Sequence, residues 1–429
     1  MSFYITCGYH TKIDTDQKPD GAILLSSKFM KEQLTKRLDD NKKVLKRYPH
    51  LRSRLFDPQI YALDLIPSNN FQPCEKLASY DWLNDLLPNK QDFPNSHDFL
   101  REFSRAWLSL PLNNLDFISL LVDQIINFQI EIGCAAIILP GPLTKNSNTD
   151  FQQEMVWITK GLESIRSKNI DLPTYATLAI SDLALTNEKP QENEFLLLVL
   201  DLISTSGVNG VYLIIEQNSE QANDRYLKNP NTLNAALFLV NNFSFVNNFE
   251  VIVNFFGPFG IFLKGIGANI WSTNWNKSLV RFRLNDQEGF AAYPRYWSSV
   301  SLFDIHLEND FDLINANKKL HLVRDITEFS SGLFISASQG NPVSQIPDWN
   351  YSQNNTSYAK GHYQASMMKM NNYINSIDRL ILPQKLVDWV TSASVAVSDI
   401  SKILNNSDKL QVSHVYAWEA AVKAFIENQ

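Results

Sequence analysis

The sequence predicts an α/β chain built as a (β/α)8, TIM-like barrel over residues 1–310, with a mostly helical C-terminal region, 311–429, packed on it. Three observations lead there. Between residues 20 and 310 short apolar runs alternate with longer segments of helical period, and strands separated by helices need right-handed crossovers, which build a parallel sheet. The runs are rich in Val, Ile and Leu at consecutive positions, as strands covered on both faces require. Eight such units fit the barrel, whereas a doubly wound open sheet announces itself with a Gly-rich first turn that is absent here.

The elements follow in order. "GAILLSS" (21–27) reads as the first strand, and the charged segment after it, with Met30, Leu34 and Leu38 at four-residue intervals, as an exposed amphipathic helix. "LRSRLFDPQIYALDL" (51–65) gives the second strand, interrupted at Asp57-Pro58. Residues 66–97 form an insertion longer than a typical βα loop, on the side where a barrel binds ligands. "CAAIILPGP" (134–142), "PTYATLAISD" (173–182), "GVYLIIEQ" (210–217), "FEVIVNFFG" (249–257) and "GANIWST" (267–273) supply strands three to seven. "SVSLFDIHLE" (299–308) is the candidate for the eighth, and Tyr9 and His10 are expected to cap an N-terminal hairpin beneath the barrel. Beyond residue 310 three helical segments, near 363–380, 384–404 and 410–427, carry apolar stripes that must be buried on the barrel, on one another or on a partner.

Composition narrows the function. A net charge of −7 argues against non-specific binding to nucleic acid or to an anionic membrane surface. No apolar run approaches the length of a membrane span, and no secretory leader is evident, so a soluble protein is expected. The three cysteines, Cys7, Cys74 and Cys134, are far apart and suggest a reducing cytoplasm. Asparagine makes up about a tenth of the chain, which reads as the codon bias of an AT-rich, bacterial genome.

In a barrel the working residues lie at the C-terminal ends of strands. Glu216 and Asp182 end neighbouring strands there and are the candidate catalytic pair, since two carboxylates in one partly dry site split their pKa values into acid and base. Asp57, Asn254, Trp271 and Asn274 end other strands and are the candidate substrate-binding residues. The segment 253–275 is rich in glycine but matches neither GxGxxG nor a Walker A loop, and Lys264 within it reads as a snorkelling lysine on a short helix. Arg281, Arg283 and Arg295 lie among Tyr293, Tyr296 and Trp297, a composition that suits either a solvated rim or an anionic, stacked ligand. No HExxH, CxxC or GxSxG occurs, and nothing implies a metal or a cofactor.

These expectations converge on a barrel enzyme using carboxylate acid–base or nucleophilic chemistry on a sugar- or nucleoside-like substrate. At the level of fold it is similar to base-exchanging and sugar-cleaving (β/α)8 enzymes. The competing expectation is a catalytically idle barrel that scaffolds a protein partner in a multi-protein bacterial system. It draws on the missing catalytic motifs, the aromatic stretch 345–363 and the C-terminal helices.

Overall fold

A computed structural model describes residues 2–8, 11, 15–16, 18–35, 53–145, 147–185, 189–221, 224–284, 293–307, 309–353, 355–404 and 412–428. Eight parallel strands run around one barrel: β1 (Ser2–Cys7), β2 (Gly21–Leu25), β3 (Ser53–Asp57), β4 (Ile137–Leu139), β5 (Thr174–Ser181), β6 (Gly210–Glu216), β7 (Glu250–Val253) and β8 (Ile270–Thr273). The sheet order is β3-β2-β1-β8-β7-β6-β5-β4. The (β/α)8 architecture expected from the sequence is therefore the one found, with one strand exchanged. The N-terminal segment is itself the first strand, between β2 and β8. Residues 299–308 stand outside the barrel, where β9 (Arg295–Ser298) and β10 (Phe303–His306) form an antiparallel hairpin. The physical reason is visible in "SFYITC": five of its six residues are buried, although a polar residue interrupts the apolar run. Tyr9, His10, Leu38 and Glu308 lie outside the described residues.

The barrel closes at a seam between β3 and β4, joined by the Ala135 amide donating to the Arg54 carbonyl at 2.9 Å. Three residues further along the chain, a side chain completes the seam. Gln129, on the helix Leu115–Glu131, accepts from the Ile138 amide and donates to its carbonyl, both at 2.9 Å. A buried primary amide thus substitutes for the missing strand, since a backbone group left unpaired in the core is costly.

Helices Leu115–Glu131, Ser147–Ser167, Glu194–Ser204 and Pro230–Asn241 follow β3 to β6. Asparagine side chains at positions 95, 114, 193 and 229 accept from backbone amides at four helix starts, so part of the asparagine excess does structural work as N-caps. The short helix Gly260–Gly265 follows β7. It presses on Trp271 so closely that a Cβ at Gly260 would stand 2.9 Å from the indole, which is why glycine is required there.

The insertion after β3 folds into helices, including Phe71–Ala78. It packs sideways on the outer wall, where Tyr80 and Trp82 stack at 4.5 Å and meet Phe56 of β3. Its Asn70 and Pro73 reach the barrel mouth.

At the C-terminal end of the chain the helix Ser357–Ser376 lies against the outside of β8 and β1. The Trp271 indole donates to Asn371 at 3.1 Å, and the Tyr363 and Thr273 hydroxyls are 3.2 Å apart. This helix fills the position that an eighth barrel helix would take. Leu382–Leu404 and Ser413–Glu427 pack on each other, and the Trp418 indole donates to the Leu227 carbonyl at 2.7 Å.

Candidate functional site

Strand alternation decides which side chains meet at the barrel axis. On β6 the Tyr212 hydroxyl donates to Asp57 Oδ2 at 2.8 Å. Strands β6 and β3 are not neighbours in the sheet, so that bond crosses the interior and Tyr212 points inward. By the period of two, Ile214 and Glu216 point inward as well. The register pairs Glu216 with Ser181, and the Ser181 hydroxyl donates to Glu216 Oε2 at 2.7 Å.

Glu216 is 3% exposed. Burial raises its carboxyl above the ordinary range, against the opposing hydrogen bonds from Ser181 and from the Leu284 amide, and the neighbouring Asp182 charge raises it further. Asp182 is buried just beyond the end of β5. Its Oδ2 accepts from the amide and the hydroxyl of Ser219 at 2.9 and 2.5 Å, while its Oδ1 has no hydrogen-bond partner. The two candidate catalytic carboxylates thus sit within electrostatic reach, one fixed by a serine on its own sheet and the other by the loop after β6.

Beneath them lies a buried polar network. Asp57 Oδ2 accepts from Tyr61 at 2.5 Å as well as from Tyr212, and Oδ1 accepts from the Gln59 amide at 3.0 Å. Burial pushes the Asp57 carboxyl up to about 6 despite these three donors. Asn254 donates to the Tyr212 hydroxyl at 2.7 Å and accepts from Thr6 and Ser272 at 2.7 and 2.8 Å. Asn274 donates to the Thr6 carbonyl at 2.7 Å. Asp57, Asn254 and Asn274 are thus brought together in one interior chain of hydrogen bonds.

Trp271 is not part of it. The alternation that turns Ser272 inward turns Trp271 outward, against Phe3 and beneath the helix Ser357–Ser376. The expectation that it walls the substrate site is corrected on that ground. Lys264 is likewise corrected: it does not snorkel but is fully buried, its Nζ has no hydrogen-bond partner, and burial pushes its amine down to about 8.

A strap of chain after β8 covers the mouth. Gln217 donates its amide to the Phe282 carbonyl at 3.0 Å, and bridges join Glu216 to Phe282 and Phe256 to Arg281. The Phe282 ring meets Tyr61 at 4.8 Å and Phe255 at 5.9 Å. Asp57 and Asn254 are completely buried below it. Beside the strap remains a cavity of about 60 Å³, lined by Ser27, Lys28, Gln59, Asn70, Arg281 and Arg283 among others.

Sequence reasoning missed Tyr212, Tyr61, Thr6 and the strap. The signal for Tyr212 was present: it stands four residues before Glu216, hence on the same face of the same strand. Tyr61 and Phe282 carried no such signal, because loop residues have no period. Glu154 was missed too. It lies on the helix after β4, fully buried, accepts from Thr144 at 2.7 Å, and is pushed up to about 8 by burial.

The cysteines are free and buried, with burial raising all three thiols and pushing Cys74 and Cys134 up to about 12. Thiolate chemistry at neutral pH is disfavoured there. Among the described residues no group of three or more His, Cys, Asp or Glu is arranged to hold a metal ion, and no helix is long and apolar enough to cross a membrane. No protein-family model, curated protein or solved structure matches the chain.

Proposed function

We propose that the chain is a barrel enzyme in which Glu216 acts as general acid or base, with Asp182 as the second carboxylate, on a sugar- or nucleoside-like substrate. The observation that carries this reading is the state of Glu216. It ends a barrel strand, faces the interior, and is held above the ordinary carboxylate range by burial next to a second buried carboxylate. A carboxyl raised by burial is better suited to hold and deliver a proton than an ordinary glutamate, and a carboxylate pair is the usual machinery for cleaving a glycosidic bond. Asp57, Asn254 and Asn274 support it from below, as the polar floor of the site, once the Phe282 strap is displaced. The three free, buried cysteines accord with a cytoplasmic setting.

The test is a panel of glycosides and nucleosides assayed for release of sugar or base. Glu216→Gln is expected to lower turnover at least a hundredfold while leaving the fold intact. Turnover that Glu216→Gln does not change would remove the reading.

A second reading has its own support. Phe282 fills the mouth, and Leu380, Ile381 and Val395 stand exposed on or beside the C-terminal helices, which suits an idle barrel that docks a protein partner. It predicts a stoichiometric partner chain on purification and no turnover of any panel member.

A further inference from the structure

The wall of the mouth cavity carries a charge opposite to that of the protein. The chain has a net charge of −7, yet Lys28, Arg281 and Arg283 all line this one space, and no Asp or Glu does among the described residues. The polar remainder, Ser27, Ser278, Gln59 and Asn70, supplies two hydroxyls and two amides.

The two arginines are held differently. Arg281 is 2% exposed and spends its Nη1 on the carbonyls of Gln221 and Asp224. Arg283 has both Nε and Nη1 buried without a hydrogen-bond partner. Burying donors of a charged group with nothing to accept from them costs their full desolvation. The missing element is an acceptor, and guanidinium donors are best matched by phosphate or carboxylate oxygens. A space of about 60 Å³ has room for a few water-sized groups, which suits one oxyanion group and not a sugar ring. Three cationic side chains on one small wall favour a dianion over a monoanion.

We infer that this cavity is an anion site that takes the phosphate group of a phosphorylated substrate, with Arg283 as its principal ligand and Lys28 adding charge. The assignment to a substrate rests on the enzymatic reading above, whereas binding of the anion does not. Arg283 is two residues from Arg281, on the same strap as Phe282 and Leu284, which meet Glu216, so the anion and Glu216 would lie on two sides of one segment.

The experiment is titration of the full chain with inorganic phosphate, followed by calorimetry and by thermal midpoint at matched ionic strength against chloride, with acetate as a second arm. Saturable phosphate binding is expected, weaker by about tenfold or more in Arg283→Gln and less affected in Lys28→Met. In chloride the Arg283→Gln midpoint is expected to equal or exceed that of the unmodified protein, because the substitution removes two buried donors that have no acceptor. Should Arg283→Gln fail to fold, Lys28→Met carries the test, and an undiminished affinity in it overturns the site. No saturable response to phosphate, or equal affinity in Arg283→Gln, also overturns it, and acetate binding as tightly as phosphate overturns the phosphate assignment. The enzymatic reading fails separately, through unchanged turnover in Glu216→Gln.

Discussion

Across the β5–β6 pair the Ser181 hydroxyl donates to Glu216 Oε2 at 2.7 Å, and the register that aligns these two residues turns both toward the barrel axis. The bond favours the charged carboxylate and so opposes the effect of burial. Ser181→Ala should therefore raise the Glu216 pKa further, at a stability cost of about 1 kcal/mol. NMR titration of the Glu216 carboxyl checks the direction. A downward movement would contradict the role given to Ser181.

Asp57 makes a prediction about pH. Its folded pKa, about 6, lies above the ordinary 3.8, so between these values the native state binds more protons than the unfolded state. Stability contributed by this group is complete below pH 4 and is lost as pH rises through 6, by about 3 kcal/mol in all. Asp57→Asn lacks that titration. The stability of Asp57→Asn relative to the unmodified protein should accordingly rise from pH 4 to pH 6 and then level off. Urea unfolding of both proteins across that range measures it, and a flat difference would show that Asp57 ionises without penalty.

How much of this was legible in the sequence depends on the kind of signal. Strand ends were readable because a buried parallel strand is a continuous apolar run, and "VYLII" stops where the polar rim begins. That placed Glu216 and Asp182 beside each other. It did not place Trp271, whose side depends on a one-residue choice of face within "NIWST" that composition leaves open. Nor did it identify β1, because Thr6, turned into the barrel, interrupts the apolar run with a hydroxyl that serves the interior network. The strap at 281–284 was invisible for a further reason: its pairing partners, Glu216 and Phe256, are distant in sequence.

The seam offers a test of fold rather than function. Gln129 satisfies both polar groups of Ile138 where β3 does not pair. Gln129→Leu keeps the volume and leaves a buried amide and carbonyl unpaired, at a cost of about 2–4 kcal/mol. Gln129→Glu loses only the donor and adds a buried charge, so it should recover toward low pH, where the acid is neutral and can donate. Denaturant unfolding at two pH values separates the variants. Equal stability of Gln129→Leu and the unmodified protein would mean that water or β3 completes the seam.

Phe282 separates the two functional readings most directly. Its ring lies between the mouth and the Asp57–Tyr212–Asn254 network, touching Tyr61 and Phe255. If it is a displaceable cover, Phe282→Ala opens a path to Glu216 without rearranging the β5–β6 register, which is held by seven residue pairs along the strands. If it is instead permanent filling of an idle barrel, the same change leaves a cavity into which the strap collapses, and the protein only loses stability. A water-soluble carbodiimide reads the difference, since it attacks carboxyl groups that are reachable and protonated, and Glu216 is protonated to higher pH than an ordinary glutamate. In the unmodified protein Glu216 should resist labelling, being 3% exposed. In Phe282→Ala it should be labelled at the rate of a surface carboxyl, as followed by peptide mass spectrometry, while Glu154, buried outside the mouth, stays protected in both. Protection of Glu216 that survives the loss of the ring would show that the strap backbone, and not Phe282, seals the barrel.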